Sequence, residues 1–232
     1  MRGPLESDKR SFSPEAMARI AGAARDLRYL LERGYGLKSS LKLTGDRFRL
    51  TARQRHFLFR AVSAPSLAAR RRAKKVPLSE VKGSPLAVDT YNVLITTEAA
   101  LAGAPLVASD DGYLRDIVGA FASYRTNEHT GPALDLIFRV LEEAAPSRVL
   151  FLLDQAMSRS GKLAEEIRER MERARLEGEA RTVPAPDHHL RLSDSLTATS
   201  DSALIDKVER VLDLPAEICP LLPNQPWILH PG

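Results

Sequence analysis

At 232 residues, 44% of them apolar, the chain can bury a substantial core as one large domain or as a medium one with a small companion. A single cysteine, Cys219, excludes an intramolecular disulfide and a multi-cysteine zinc site. No apolar run is long enough to span a bilayer and the N-terminus has no secretory signal pattern, so the expectation is a cytoplasmic protein without a membrane partner.

The net charge of +4 conceals an asymmetry, because residues 1–85 hold 20 Lys/Arg against 7 Asp/Glu while residues 86–232 hold 14 against 23. The first part suits a polyanion, the second suits cations or chemistry, and the preponderance of Arg in the first points to phosphate.

In chain order, Ser13-Pro14-Glu15 predicts a helix start, with Ser13 as N-cap and a stop at Gly34. A short helix from Lys38 to Leu43 follows. Thr51 caps a third, Ala52 to Val62, with Phe57, Leu58, Ala61 and Val62 facing a core. Arg53 and Arg60, seven residues apart, share another face that is either solvated or meets phosphate. Residues 64–84, with Arg70, Arg71, Arg72, Lys74 and Lys75 between prolines, form a linker or a basic helix and a linker, and these charges repel unless a polyanion neutralises them. The expected division is a basic helical domain with its linker over 1–83 and an α/β domain over 84–232.

The α/β reading rests on four apolar runs that each end in an acid: Pro85–Asp89, Pro105–Asp110, Val149–Asp154 and Leu196–Asp201. Helical stretches near 95–102, 131–144, 161–177 and 202–212 alternate with them, and a short strand spans 180–184. Such alternation predicts a parallel sheet with the acids gathered at its carboxyl edge, where open α/β sheets place ligands. Clustered carboxylates repel and raise one another's pKa, so a divalent cation, Mg²⁺ or Mn²⁺, is expected among them. The proline-rich tail from Pro215 is expected to lie irregularly over the surface.

Individual motifs vary in weight. Asp89-Thr-Tyr-Asn92 offers a strand-end ligand with an Asn placed to orient it. Thr199-Ser200-Asp201 is either a second ligand with Ser200 behind it or ordinary helix capping. Asp110, Asp111 and Asp116 cluster around an Asp-Gly turn signal. Ser158-Arg-Ser160-Gly161-Lys162 opens a helix that could receive a phosphate beside Lys162, with Ser160 as plain N-cap the simpler reading. Asp187 precedes His188 and His189, whose adjacency denies them a common face and makes them exposed turn residues. Asp206 is expected at the surface.

Val88-Asp89-Thr90-Tyr91-Asn92-Val93 resembles the opening of PIN-like nucleases of the NYN branch, with Thr90 in place of a glycine, and Thr199-Ser200-Asp201 resembles their late acidic motif. Phe151-Leu-Leu-Asp154 resembles their middle strand, and Asp187 is the nearest match to an acid before their final strand. Most of the chain also resembles a prokaryotic family known as domain of unknown function 434, whose N-terminal helical segment is similar to residues 25–60.

The resemblance implies a PIN-like, Rossmann-like fold with helices on both sheet faces and a metal-dependent ribonuclease. Asp89 and Asp201 would be direct ligands. Asp154 and one of Asp110, Asp111, Asp116 or Asp187 would complete or orient the set, with Asn92 and Ser200 behind them. RNA would be held by Arg53, Arg60, Arg70, Arg71, Arg72, Lys74, Lys75 and Lys162. The rival expectation is a non-catalytic RNA-binding or ribosome-associated module of the same shape.

Overall fold

The computed structural model describes residues 3–118 and 124–232. Its main element is a five-stranded parallel sheet: β1 (Pro85–Asp89), β4 (Arg148–Asp154), β5 (Gly178–Val183), β6 (Leu196–Ala198) and β7 (Val211–Leu212), in the order β5-β4-β1-β6-β7. Strands of a parallel sheet are covered on both faces, and the alternation along each shows it. Leu86, Val88, Val149, Phe151 and Leu153 join one cluster with α6 (Thr90–Leu101), α7 (Thr130–Ala144) and α8 (Ser160–Ala174). Ala87, Leu150 and Leu152 face the other way, toward α9 (Pro186–Arg191) and α10 (Ser202–Ile205). Gly178 opens β5 at a φ of +138°, where an added Cβ would fall on the Val149 carbonyl, so the close approach of β5 to β4 requires glycine.

A second, three-stranded sheet departs from expectation. The run ending in Asp110 supplies β2 (Leu106–Ala108), which pairs antiparallel with β3 (Leu114–Asp116) through a turn at Gly112 (φ +82°) and parallel with β8 (Ile228–Leu229). Only three of the four acid-ending runs therefore belong to the parallel sheet. The tail is also more regular than its prolines suggest: Pro215 sits in the first turn of α11 (Leu214–Ile218), where its missing N–H costs nothing, and β8 follows. The stretch expected as a helix over 202–212 breaks after Ile205 and becomes β7.

The N-terminal region begins with a short α1 (Asp8–Ser11), followed by α2 (Pro14–Glu32), α3 (Leu37–Arg47), α4 (Ala52–Ala61) and α5 (Pro65–Arg72). Ser13 caps α2 by accepting from Ala16 N, and Thr51 and Gln54 form a reciprocal capping box on α4. Phe57, Leu58, Ala61 and Val62 are buried as expected, but their cluster also contains Val107 and Leu229 from the second sheet and Ile117 just after β3. Leu106, Leu114 and Ile228 on its opposite side pack toward Ala99 and Ala104 at the end of α6. The small sheet is thus the seam between the helical region and the parallel sheet. After α5 the chain does not run free, because Val76 N donates to Val211 O and Val211 N donates to Lys74 O at the sheet edge. Among the described residues no helix is long and apolar enough to cross a membrane.

Candidate functional site

In the order β5-β4-β1-β6-β7 the chain builds outward from β1 in one direction, then crosses to β6 and builds in the other. The crevice beyond the carboxyl ends of β1 and β6 is therefore the topological switch point, the place where open α/β sheets bind ligands. A cavity of about 250 Å³ lies here, lined by Asp89, Asp154, Asp187 and Asp201 together with Tyr91, Asn92, Leu152, Met157 and Pro186.

Asp89 ends β1 at the cavity floor. Thr199 Oγ1 donates to its Oδ2 at 2.8 Å, and the same oxygen accepts from Asp201 N at 3.1 Å, so one hydroxyl ties the two strand ends together. Burial pushes Asp89 up to about 7; the Thr199 hydroxyl opposes this, while the charges of Asp187 and Asp201 add to it. Asp187, in the first turn of α9, is likewise raised by burial and by Asp201, with Lys207 opposing. Asp201 Oδ1 accepts from Ala203 N (2.9 Å) and Leu204 N (3.0 Å), which makes it the N-cap of α10 and a wall of the cavity at once. Asp154 Oδ1 accepts from Ala156 N at 2.9 Å.

Asn92 is buried, and its Oδ1 accepts from Ser200 N (2.7 Å) and Ser200 Oγ (3.1 Å), pinning the Thr199-Ser200-Asp201 segment beside β1. Its Nδ2 and the Tyr91 hydroxyl have no hydrogen-bond partner among the described residues, although both side chains line the cavity. Thr199 and Tyr91 were not singled out from sequence, and only their adjacency to Asp201 and Asn92 could have signalled them.

The acids around the Asp-Gly turn lie elsewhere. Asp110 takes both bonds of Arg28 (2.8 and 2.7 Å). Asp111, fully buried, is gripped by Arg115 at 2.9 and 2.8 Å and by Arg71 at 3.3 Å; burial raises it, but these guanidiniums carry it below the ordinary carboxylate range. Asp116 accepts from Thr96 Oγ1 and Val118 N and pairs with Arg60 at 3.5 Å. None of the three lines the acid cavity, and of the four candidates for its fourth carboxylate only Asp187 does. Arg115 also donates from Nε to Ser200 O at 2.7 Å and so braces the segment carrying Asp201.

The basic residues form a clamp rather than a free patch. Arg53 binds Asp8 and Ile117 O, Arg60 binds Asp116, and Arg71 chelates Asp206 at 2.7 Å to each oxygen. Arg72 reaches Asp110 O, Lys74 holds Ile205 O and Val208 O, and Lys75 pairs with Asp213 at 2.9 Å. Arg70 and Lys162 are exposed and form no ion pair among the described residues. Ser160 does not cap α8, whose N-cap is Arg159, and His188 and His189 lie on α9 rather than in a turn.

Residues 78–217, which hold all four cavity acids, match the family described as domain of unknown function DUF5616, and residues 19–74 match that described as protein of unknown function DUF434. Over 200 residues the chain is 32% identical to an uncharacterised protein of Methanocaldococcus jannaschii, covering 85% of this chain and 95% of that one. No solved structure matches the chain. The expected reach of family 434 over most of the chain is narrowed, since that match ends at residue 74 and the α/β part has a family of its own.

Proposed function

The chain belongs to the family described as domain of unknown function DUF5616, and within it we propose a divalent-metal-dependent ribonuclease. One observation carries the reading: four carboxylates line one cavity at the switch point of a parallel sheet, and the most central is held near neutrality by burial and by its neighbours. Strands β1 and β4 each end in an acid and a third acid follows β6, which brings the acids to one edge of the sheet and supports the reading.

The donor set fits Mg²⁺ or Mn²⁺, because all four side chains are hard oxygen ligands. Among the described residues no three carboxylates, histidines or cysteines converge as a ready cage, but Mg²⁺ is commonly held by one or two carboxylates and keeps its waters. Asp89 and Asp201 would hold it, with Asp154 and Asp187 orienting waters. When bound, it would supply Lewis-acid stabilisation of charge at phosphorus and a lowered pKa for the attacking water. Thr199 keeps the carboxylates of Asp89 and the backbone of Asp201 in register. Asn92 Nδ2 and the Tyr91 hydroxyl, buried beside the cavity without a hydrogen-bond partner among the described residues, would be donors to a phosphodiester that reached them. No protein nucleophile is required.

The test is cleavage of a labelled RNA pool with Mn²⁺, beside RNA affinity and thermal unfolding. Millimolar Mn²⁺ should raise the unfolding midpoint by mass action, and Asp89→Asn should abolish most of that rise. Asp201→Asn should stop cleavage while keeping the helix cap, since Asn caps as well as Asp. Protein that binds RNA tightly yet cuts nothing with any divalent metal would establish the second reading, a non-catalytic RNA-binding module. The absence of a ready three-ligand cage is the observation favouring that alternative.

A further inference from the structure

Asp201 has a second cavity on its other side. This one, about 310 Å³, lies between the helical region and the start of α10, with apolar walls from Leu31, Leu37, Phe59 and Leu67 and with Arg60 and Asp201 on its polar side. Its volume is in the range of small-ligand sites. Phe59, on the opposite face of α4 from the buried Phe57, leaves half its surface exposed. Arg60 is fixed by Asp116, donating from Nε to its backbone oxygen at 3.1 Å and pairing through Nη2 with its carboxylate at 3.5 Å, and its Nη1 has no hydrogen-bond partner among the described residues.

Flat apolar walls, an aromatic face and a guanidinium edge suit a nucleobase, which offers two π faces and acceptors along its rim. The cavity also adjoins the carboxylates through one shared side chain. A strand whose phosphate enters the acid cavity would therefore bring the next base here.

We infer that the cavity between α2, α4 and α5 and the start of α10 is a base-binding subsite for single-stranded RNA, receiving the nucleoside next to the phosphate that a divalent cation on the carboxylates would hold. This rests on the ribonuclease or RNA-binding reading of the neighbouring cavity. It assigns the helical region a part in recognition through one cavity rather than through its net charge.

The experiment uses the full chain with Ca²⁺ in place of Mn²⁺, so that a cation still bridges the carboxylates and a phosphate while the RNA is checked to be uncut, and measures the affinity of short single-stranded RNAs that are either intact or carry one abasic site scanned along the oligonucleotide. At one position, loss of the base should weaken binding about tenfold, the effect of one stacked base. Phe59→Ala, at an exposed position where folding is not at risk, should weaken the intact RNA by a similar factor and erase the difference at that position only. Wild-type protein that binds intact and abasic RNAs alike, or that binds neither, would overturn the subsite, as would a Phe59→Ala protein that still discriminates fully. The ribonuclease reading is scored separately by Mn²⁺-dependent cleavage. Discrimination without cleavage would leave the subsite standing and remove only the nuclease.

Discussion

The helical region and the α/β region differ in charge by more than 20 units, yet much of that difference is spent between them. Arg28, Arg60, Arg71 and Lys75 meet Asp110, Asp116, Asp111, Asp206 and Asp213, while Arg72 and Lys74 take backbone carbonyls. A basic segment beside an acidic one thus does not by itself announce a polyanion. Where the pairs are as buried as Arg115 and Asp111, with 1% and 0% of their side chains exposed, each charge depends on its partner because neither can return to water. Among the described residues the four acids of the switch-point cavity form no ion pair, and that contrast supports the site proposed there.

The largest effect should come from separating the regions. Residues 84–232 alone would expose Val107, Ile117 and Leu229 and leave the seam acids unpaired, so the fragment should lose cooperative urea unfolding, followed by near-ultraviolet circular dichroism. A sharp two-state transition in the fragment would show that the seam is dispensable. Next, Arg115→Met should lower stability by about 3–5 kcal/mol, the cost of stranding a buried charge. A loss under about 1 kcal/mol would show that Arg71 alone suffices for Asp111.

Asp89 should behave in the opposite way to Asp111, which its guanidiniums hold below the ordinary carboxylate range. Asp89 is raised from 3.8 to about 7 on folding, so its contribution to stability is fully present below about pH 4 and is lost as pH rises through about 7. The metal-free protein should therefore weaken across that window, by no more than about 4 kcal/mol, and Asp89→Asn should flatten the profile. Melting curves from pH 4 to 8 with EDTA check this, and Mn²⁺ should restore the loss. The smallest effects belong to Arg70 and Lys162, the two expected RNA contacts without a side-chain partner among the described residues: Arg70→Ala and Lys162→Ala should leave the melting point unchanged and reduce the slope of log affinity for RNA against log salt by about 0.7 each if they touch phosphate.

Much of this was legible in the sequence because it depends on local chemistry. Ser13 and Thr51 cap their helices wherever those helices pack, the strands ending in Asp89 and Asp154 are apolar runs of strand length, and the Asp-Gly turn folds β2 onto β3. The strand pattern puts Asp89, Asp110, Asp154 and Asp201 together at one edge, and the resemblance to PIN-like nucleases, not the pattern, favours Asp89, Asp154 and Asp201 over Asp110. What the sequence alone could not decide was partnership. Asp110 and Asp187 have the same side chain and equally polar neighbours, but one faces Arg28 across 82 residues and the other faces three more acids. The run Arg70–Lys75 looked free because its partners, Asp206, Asp213 and the carbonyls of residues 205–208, come more than a hundred residues later. The tail became β8 only because the edge of β2 needed a strand, and backbone donors at a sheet edge are satisfied by whatever segment the tertiary fold delivers there.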